Sequence, residues 1–399
     1  MGNNTKPDKN HLLADARRWH KKQVKWRRHL HQHPELSNRE TQTTAFIKKL
    51  LKETGISLRP LKMTTGVVAE IVGKREGPTV AIRTDIDALP ITERTGLTYT
   101  SRNRGCMHAC GHDVHMATVL GTASLLNEYR DRLAGKVRFL FQPAEEMPPG
   151  GARPMIKLGV LKGVDVIFGL HVDPHLPVGK ISTRDGGVMG SVYDFDLDII
   201  GRGGHAARPH NAVDAVVTAA EVIDSIQKII SREIDPISPA LITFGKIEGG
   251  VARNVIAERV KLTGTSRTLS TSVFKKMPSL IRKTVSGVCR ARGASFEMTE
   301  VASYPVMVND AATNRVYEKT YRELFGARKI AETEPVLGGE DFACYLEKVP
   351  GAMFRLGVMN KKIGADKPWH SPEFIIDEES IYYGTALLVG ATLEYLGSR

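Results

Sequence analysis

Apolar and polar positions repeat with two different periods along this chain of 399 residues, and the change of period divides it. Residues 12–30 space their apolar side chains for an amphipathic helix. Four short apolar runs follow, at 66–73 (GVVAEIVG), 79–84 (TVAIRT), 136–141 (KVRFLF) and 164–170 (VDVIFGL). Runs rich in Val, Ile and Phe, apolar on both faces, predict buried strands of an α/β sheet. Between the second and third, Met116, Val119, Leu120 and Leu126 have helical spacing and predict a helix over 114–130.

From Ser191 the period drops to two. Tyr193, Phe195, Leu197 and Ile199 alternate with Asp194, Asp196 and Asp198, the pattern of a half-buried antiparallel strand. After a turn (GRGGHAARPH), Val213, Val216, Ala220, Ile223, Ile226 and Ile230 mark one face of a long helix. Strands at 240–247 and 257–267, a helix at 272–291 and a strand at 295–301 complete a β-α-β-β-α-β order, the ferredoxin-like pattern. Beyond about Tyr304 the α/β pattern returns, with an apolar strand at 352–358. The expected architecture is therefore an α/β domain made of residues 1–189 and 304–399, with an α+β domain inserted at 190–303. The inserted domain's second helix and outer strand are expected to face outward as a dimerisation surface.

Composition adds exclusions. With 41% hydrophobic and 25% charged residues the chain reads as an ordinary soluble protein. No apolar run is long enough to cross a bilayer, and the first residues lack the apolar core of a secretory signal. A cytoplasmic location is expected. Cys106, Cys110, Cys289 and Cys344 are scattered, which suits a reducing compartment. The net charge of +12 has a local excess between Arg17 and Arg28. Without arginine–aromatic interleaving or zinc-finger spacing, it reads as a solvated surface and not as a nucleic-acid site.

The chemistry lies where the apolar runs stop. TVAIRT ends in Asp85 and Asp87, KVRFLF runs into Glu145 and Glu146, and VIFGL ends in His171. Sites in open α/β sheets form at the carboxyl ends of strands. The stretch MHACGHDVHM adds Cys110 and His112, two residues apart and so on one face if extended. With His370 in WHSPEF, five residues qualify as ligands: Cys110, His112, Glu146, His171 and His370. That is too many for one tetrahedral zinc and fits two metals about 3.5–4 Å apart with a water between them. Adjacent carboxylates point apart, so Glu146 can bind metal while Glu145 serves as general base. Asp85 either supports an imidazole ligand or caps the turn after its strand. His205, in GGH, is either an oxyanion donor or an ordinary turn histidine. His108 and His115 are assigned supporting roles. His29, His31 and His33 alternate before Pro34 and read as a metal pair or as a helix end stopped by proline.

The motifs RTDIDALP, MHACGHDVH, FQPAEE, GLHVDPHLPVG, GRGGHAARPH, GGVARNVIAE, GTSRT and GGEDFACY, in this order, resemble the zinc-peptidase-like amidohydrolases. That family includes aminoacylases, hippurate hydrolases, indole-3-acetyl-amino-acid hydrolases and N-acetyldiaminopimelate deacetylases. The resemblance runs from about Arg28 to Gly384. It implies a zinc-exopeptidase-like catalytic domain carrying an inserted lid and dimerisation domain. It implies metal ligands at Cys110, His112, Glu146, His171 and His370, a general base at Glu145 and an orienting aspartate at Asp85. It makes His205 the lid histidine, reaching its own or a partner subunit's site, and Asn254 and Arg267 the groups for a substrate carboxylate. Of the early histidines, only His31 stands where the family has one. Ala257 and Glu258 replace the usual proline and acid, and Pro148-Pro149 after the glutamates is uncommon.

The function so implied is hydrolysis of the amide bond of N-acyl amino acids, with carboxypeptidase or dipeptidase action on short peptides as the alternative. The cofactors would be two divalent metals, zinc first, with manganese, cobalt or nickel possible. The partners would be a small acyl amino acid and further copies of the chain in a homodimer or homotetramer, with no nucleic acid and no membrane. Two other classes remain to be separated. A cysteine hydrolase using Cys110 and His112 would leave the distant ligands without a purpose. A non-catalytic metal protein would have no use for Glu145.

Overall fold

The computed structural model describes residues 8–397. The chain forms two compact units, one drawn from Met1–Gly186, Asn309–Thr333 and Cys344–Arg399, the other from Gly187–Val308 and Glu334–Ala343. All four cysteines are buried, and none is in a disulfide among the described residues. Among the described residues no helix is long and apolar enough to cross a membrane.

The larger unit is built on an eight-stranded mixed sheet. Its central strand, Arg75–Asp85, runs parallel to Ala134–Gln142 on one side and Val166–Pro177 on the other. Gly351–Met359 extends the parallel set, while Val67–Val72 pairs antiparallel beyond Ala134–Gln142. The last seven residues of the central strand are all buried, as its unbroken apolar run requires.

Helix His112–Glu128 stands where the spacing predicts one, and it is buried all round. Every residue from His112 to Leu126 is buried, not just the stripe through Met116, Val119, Leu120 and Leu126. Helices Lys9–Gln32 and Glu379–Gly397 pack against it, as does the central strand. Its hydroxyls imitate a wet face in the sequence. In the fold Thr122 donates to the Thr118 carbonyl at 2.9 Å and Ser124 to the Leu120 carbonyl at 2.9 Å, so neither requires water.

The smaller unit carries a four-stranded antiparallel sheet in the order Ala240–Gly249, Arg259–Thr268, Val192–Ile200, Ser295–Tyr304. With helices Ala215–Arg232 and Thr271–Arg292 this is the ferredoxin-like arrangement. Tyr193, Phe195, Leu197 and Ile199 are buried, and the aspartates between them lie on the wetter face. There Asp196 pairs with Lys261 at 2.7 Å and Asp198 with Arg259 at 2.9 Å.

The buried face of the first helix overlaps the expected one but is rotated from it: Ile226 is buried and Ile223 and Ile230 pack against the core, as expected. Ala215, Ala219, Val222, Ile226 and Ile229 are buried, while Val216 is 46% exposed. The sequence holds two apolar ladders one residue apart, and the sheet takes the one that starts at Ala215. Residues Glu334–Ala343, expected to group with the rest of the chain after Tyr304, cluster with the smaller unit. Backbone bonds between Val336 and both Val188 and Gly190 fasten the segment there, and a Cβ on Gly339 would lie 2.1 Å from Val192.

Candidate metal centre

Parallel strands bring the candidates to one end of the larger sheet. Asp85 closes the central strand opposite Gln142, and the chain passes from Gln142 directly to Glu145 and Glu146. The turn that presents them is strained: Ala144 has φ 54°, a left-handed conformation rare outside glycine. The buried Glu40 carboxylate holds it by accepting the Ala144 N–H at 2.8 Å. Asp87 accepts the N–H of Glu146, two residues on, at 3.0 Å. His171 does not end its strand, as expected, but sits within Val166–Pro177. It lies three residues past the last pairing with the central strand, Ile82 with Phe168, and stays paired with Arg355.

Cys110 and His112 do not converge through an extended segment. Gly111 between them is left-handed at φ 90° and caps helix His112–Glu128. A Cβ there would meet Val172 Cγ2 at 2.4 Å, so glycine lets the pair close against the strand that carries His171. His370 arrives on a loop tied by its own N–H to the Ala109 carbonyl at 2.9 Å and by Trp369 Nε1 to the Val172 carbonyl at 3.1 Å.

The donor atoms form overlapping groups. Those of Cys110, His112 and His171 lie within 4.8 Å of one another, as do those of Cys110, Glu146 and His370, and of His112, Glu145 and Glu146. Cys110 Sγ is 3.6 Å from His171 Nε2. Glu146 Oε1 is 3.7 Å from His112 Nε2 and 3.6 Å from His370 Nε2. Backbone carbonyls fix two tautomers, because a carbonyl can only accept. His112 Nδ1–H donates to the Asp87 carbonyl at 2.9 Å and His171 Nδ1–H to the Val172 carbonyl at 2.8 Å, leaving each Nε2 lone pair for a ligand.

His115 is near but spoken for. Its Nδ1 bonds Asp85 at 2.7 Å and its Nε2 accepts the Val172 N–H at 2.9 Å. Asp85 thus orients His115, with Arg83 Nη1 at 2.9 Å on its other oxygen, and stands 3.7 Å from His112 Nε2. The residue that orients His112 is Asp87, to which the sequence reading gave no role. Its place two residues after Asp85 was the available signal. Asp113 is held by Arg27 Nε at 2.7 Å and by His31 Nδ1 at 2.8 Å, which accounts for His31.

Two divalent cations fit these residues. His112 Nε2 and Glu146 Oε1 are buried and have no hydrogen-bond partner among the described residues, although they face each other across the gap. Burial, then the charges of Glu146, Glu145 and Asp85, push the Cys110 thiol well above its usual range. Burial works to lower the His112 pKa, but Asp85, Asp87 and Glu146 outweigh it and raise it to about 10. Such a concentration of negative charge is what cations neutralise, at the expense of the protons on thiol and imidazolium. Cys110, His112, Glu146, His171 and His370 would hold them.

The remaining predicted residues lie in the smaller unit. His205 is exposed and its Nδ1 accepts the Ala207 N–H at 3.1 Å, which leaves the proton on Nε2 as a donor. Asn254 is exposed beside it, its carbonyl accepting the Ala206 N–H at 3.1 Å while Val255 pairs with His205. Arg267 is half-buried and donates from Nη1 to Asp194 at 3.0 Å.

The model of peptidase family M20/M25/M40 matches residues 81–394. The chain belongs to this family. Among its relatives is an N-acetyl-L-cysteine deacetylase of Bacillus subtilis, 42% identical over 94% of this chain and 88% of that one. Thermostable carboxypeptidase 1 of Saccharolobus solfataricus is 38% identical over 90% and 92%. The solved structure of the Bacillus subtilis YXEP protein, described as a dinuclear metal-binding peptidase from the M20 family, covers 96% of this chain and 100% of its own. It has a TM-score of 0.83 and 35% identity. This M20 protein is a metal-dependent hydrolase of amide bonds.

Proposed function

We propose that this M20 protein hydrolyses the amide bond of N-acyl amino acids. The observation that carries the reading is Glu145 standing next to Glu146, in one group with His112, beside a buried donor set with two orphaned atoms. Bound metals would supply Lewis acidity toward the amide carbonyl and toward a water. Glu145 takes the water's proton and returns it to the leaving nitrogen. His205 donates its Nε2–H to the oxygen that gains charge. Arg267 and Asn254 receive the carboxylate of the amino acid, a task that suits a planar guanidinium.

Peptidase action on short peptides is the second reading, favoured by the identity to the Saccharolobus solfataricus carboxypeptidase. A hydrolysis screen across N-acetyl, benzoyl and indole-acetyl amino acids and dipeptides, on protein of measured metal content, separates them. Faster turnover of dipeptides than of every acyl amino acid would replace the first reading by the second. In the same reading the protein is cytoplasmic and assembles as a homodimer or homotetramer through the smaller unit. Light scattering during gel filtration tests the assembly.

A further inference from the structure

The basic stretch at Arg17–Arg28 has a structural counterpart that the amidohydrolase reading does not use. A groove of about 540 Å³ in the larger unit runs along helix Lys9–Gln32, and none of its lining residues belongs to the metal centre. Lys21, Lys25 and Arg28 share one helix face along it. Tyr99, Ile375 and Ile376 supply apolar wall.

The charges around the groove are unevenly matched. Glu378 takes Arg28 through both oxygens, at 3.0 and 2.6 Å. Glu379 takes Arg17 at 2.8 Å, and Asp377 takes Asn360 at 2.6 Å. Every lining acid is therefore engaged. Lys21 and Lys25 are exposed and have no partner among the described residues. Arg28 is also fixed over the Tyr99 ring, 4.7 Å from its centroid, so the aromatic wall is held in place before any ligand arrives. The volume falls within the range of small-molecule sites, roughly 300–1,000 Å³.

We propose that this groove binds a small amphipathic anion, with an aromatic or acyl body against Tyr99 and Ile375 and a carboxylate, phosphate or sulfonate between Lys21 and Lys25. The segment that lines it from Ile363 to Glu379 also carries His370, so groove and metal centre share a stretch of backbone.

The probe is 1-anilinonaphthalene-8-sulfonate, titrated by fluorescence into the metal-loaded protein at low salt. One saturable site is expected, weakened at least tenfold in Lys21→Glu/Lys25→Glu. Turnover and melting midpoint should be unchanged, and uncharged N-phenyl-1-naphthylamine should bind both proteins within twofold. Should that variant fail to fold, Lys21→Gln/Lys25→Gln is read in its place and should weaken the sulfonate at least threefold. Unchanged sulfonate affinity in the folded lysine variant overturns the proposal. So does loss of the sulfonate site when the metals are removed by chelation from protein that stays folded, because that places the probe in the metal centre.

Discussion

The larger unit seals Arg83, Asp85, Asp87, His112, Asp113 and His115 inside it, each no more than 1% exposed. Between Val192 and Tyr304, by contrast, the buried polar side chains among the described residues are Thr218, Ser266 and Thr268, and no charge is buried. Buried charge is costly unless paired, and a purely apolar core of similar volume is as stable or more so. One sheet therefore bears a load that stability does not require, and the metal centre accounts for it. The other sheet is a plain apolar scaffold, and the residues proposed to act from that unit, His205 and Asn254, are exposed. In the proposed reading, one region builds function by removing water and the other by presenting a side chain.

The contrast can be broken or sharpened by experiment. Glu145→Gln should lower kcat by about a hundred- to ten-thousandfold with metal content unchanged; near-normal turnover would remove the general base from the larger unit. His205→Ala should cost about a hundred- to a thousandfold in kcat and leave metal content and melting behaviour alone. A loss confined to KM would reduce the exposed histidine to a binding group.

Asp87→Ala should weaken metal retention or activity by about 10–100-fold, because it removes the carboxylate that accepts the Glu146 N–H and so places that ligand. Dialysis against a chelator followed by metal analysis reads it, and Asp194→Asn in the smaller unit should show no such loss of metal.

The smallest effect is a pH slope. Burial and the Arg27 charge work to lower the His31 pKa, but its hydrogen bonds to Asp113 and Glu93 raise it above 6.5. Its contribution to stability is thus complete below 6.5 and is lost as pH rises through the raised value. Urea denaturation between about pH 6 and 9 should show a decline that His31→Gln flattens; an identical slope in the variant would dissociate His31 from it.

The clustering of the candidate residues was more legible in the sequence than the burial of the helices. Apolar runs that stop at Asp85, Glu145 and Glu146 are legible because a buried strand has no reason to end in acid unless the acid is used. Alternation at 193–199 is equally legible, since one face of that sheet is wet. Helix His112–Glu128 was legible as a helix but its burial all round was not, because hydroxyls bonded to their own backbone look polar in a sequence and behave as apolar in a core. The face of Ala215–Arg232 was legible only in part, because only the sheet decides between two adjacent apolar ladders. Asp87, Gly111 and Ala144 act through backbone geometry, which spacing alone does not encode.

Helix Glu379–Gly397 has a consequence for how the protein is made. Nearly all of it is buried, and it packs on the central strand and on helices Lys9–Gln32 and His112–Glu128. The larger unit cannot complete its interior until these late residues leave the ribosome. The smaller unit has most of its chain by Val308. At typical rates of synthesis the interval is on the order of ten seconds. During it the smaller unit is expected to fold while the strands of the larger sheet still lack their last helix. Chains stalled after Val308 should accordingly resist protease across 192–304 and be cut within 66–177; uniform resistance would mean the larger sheet closes without its last helix.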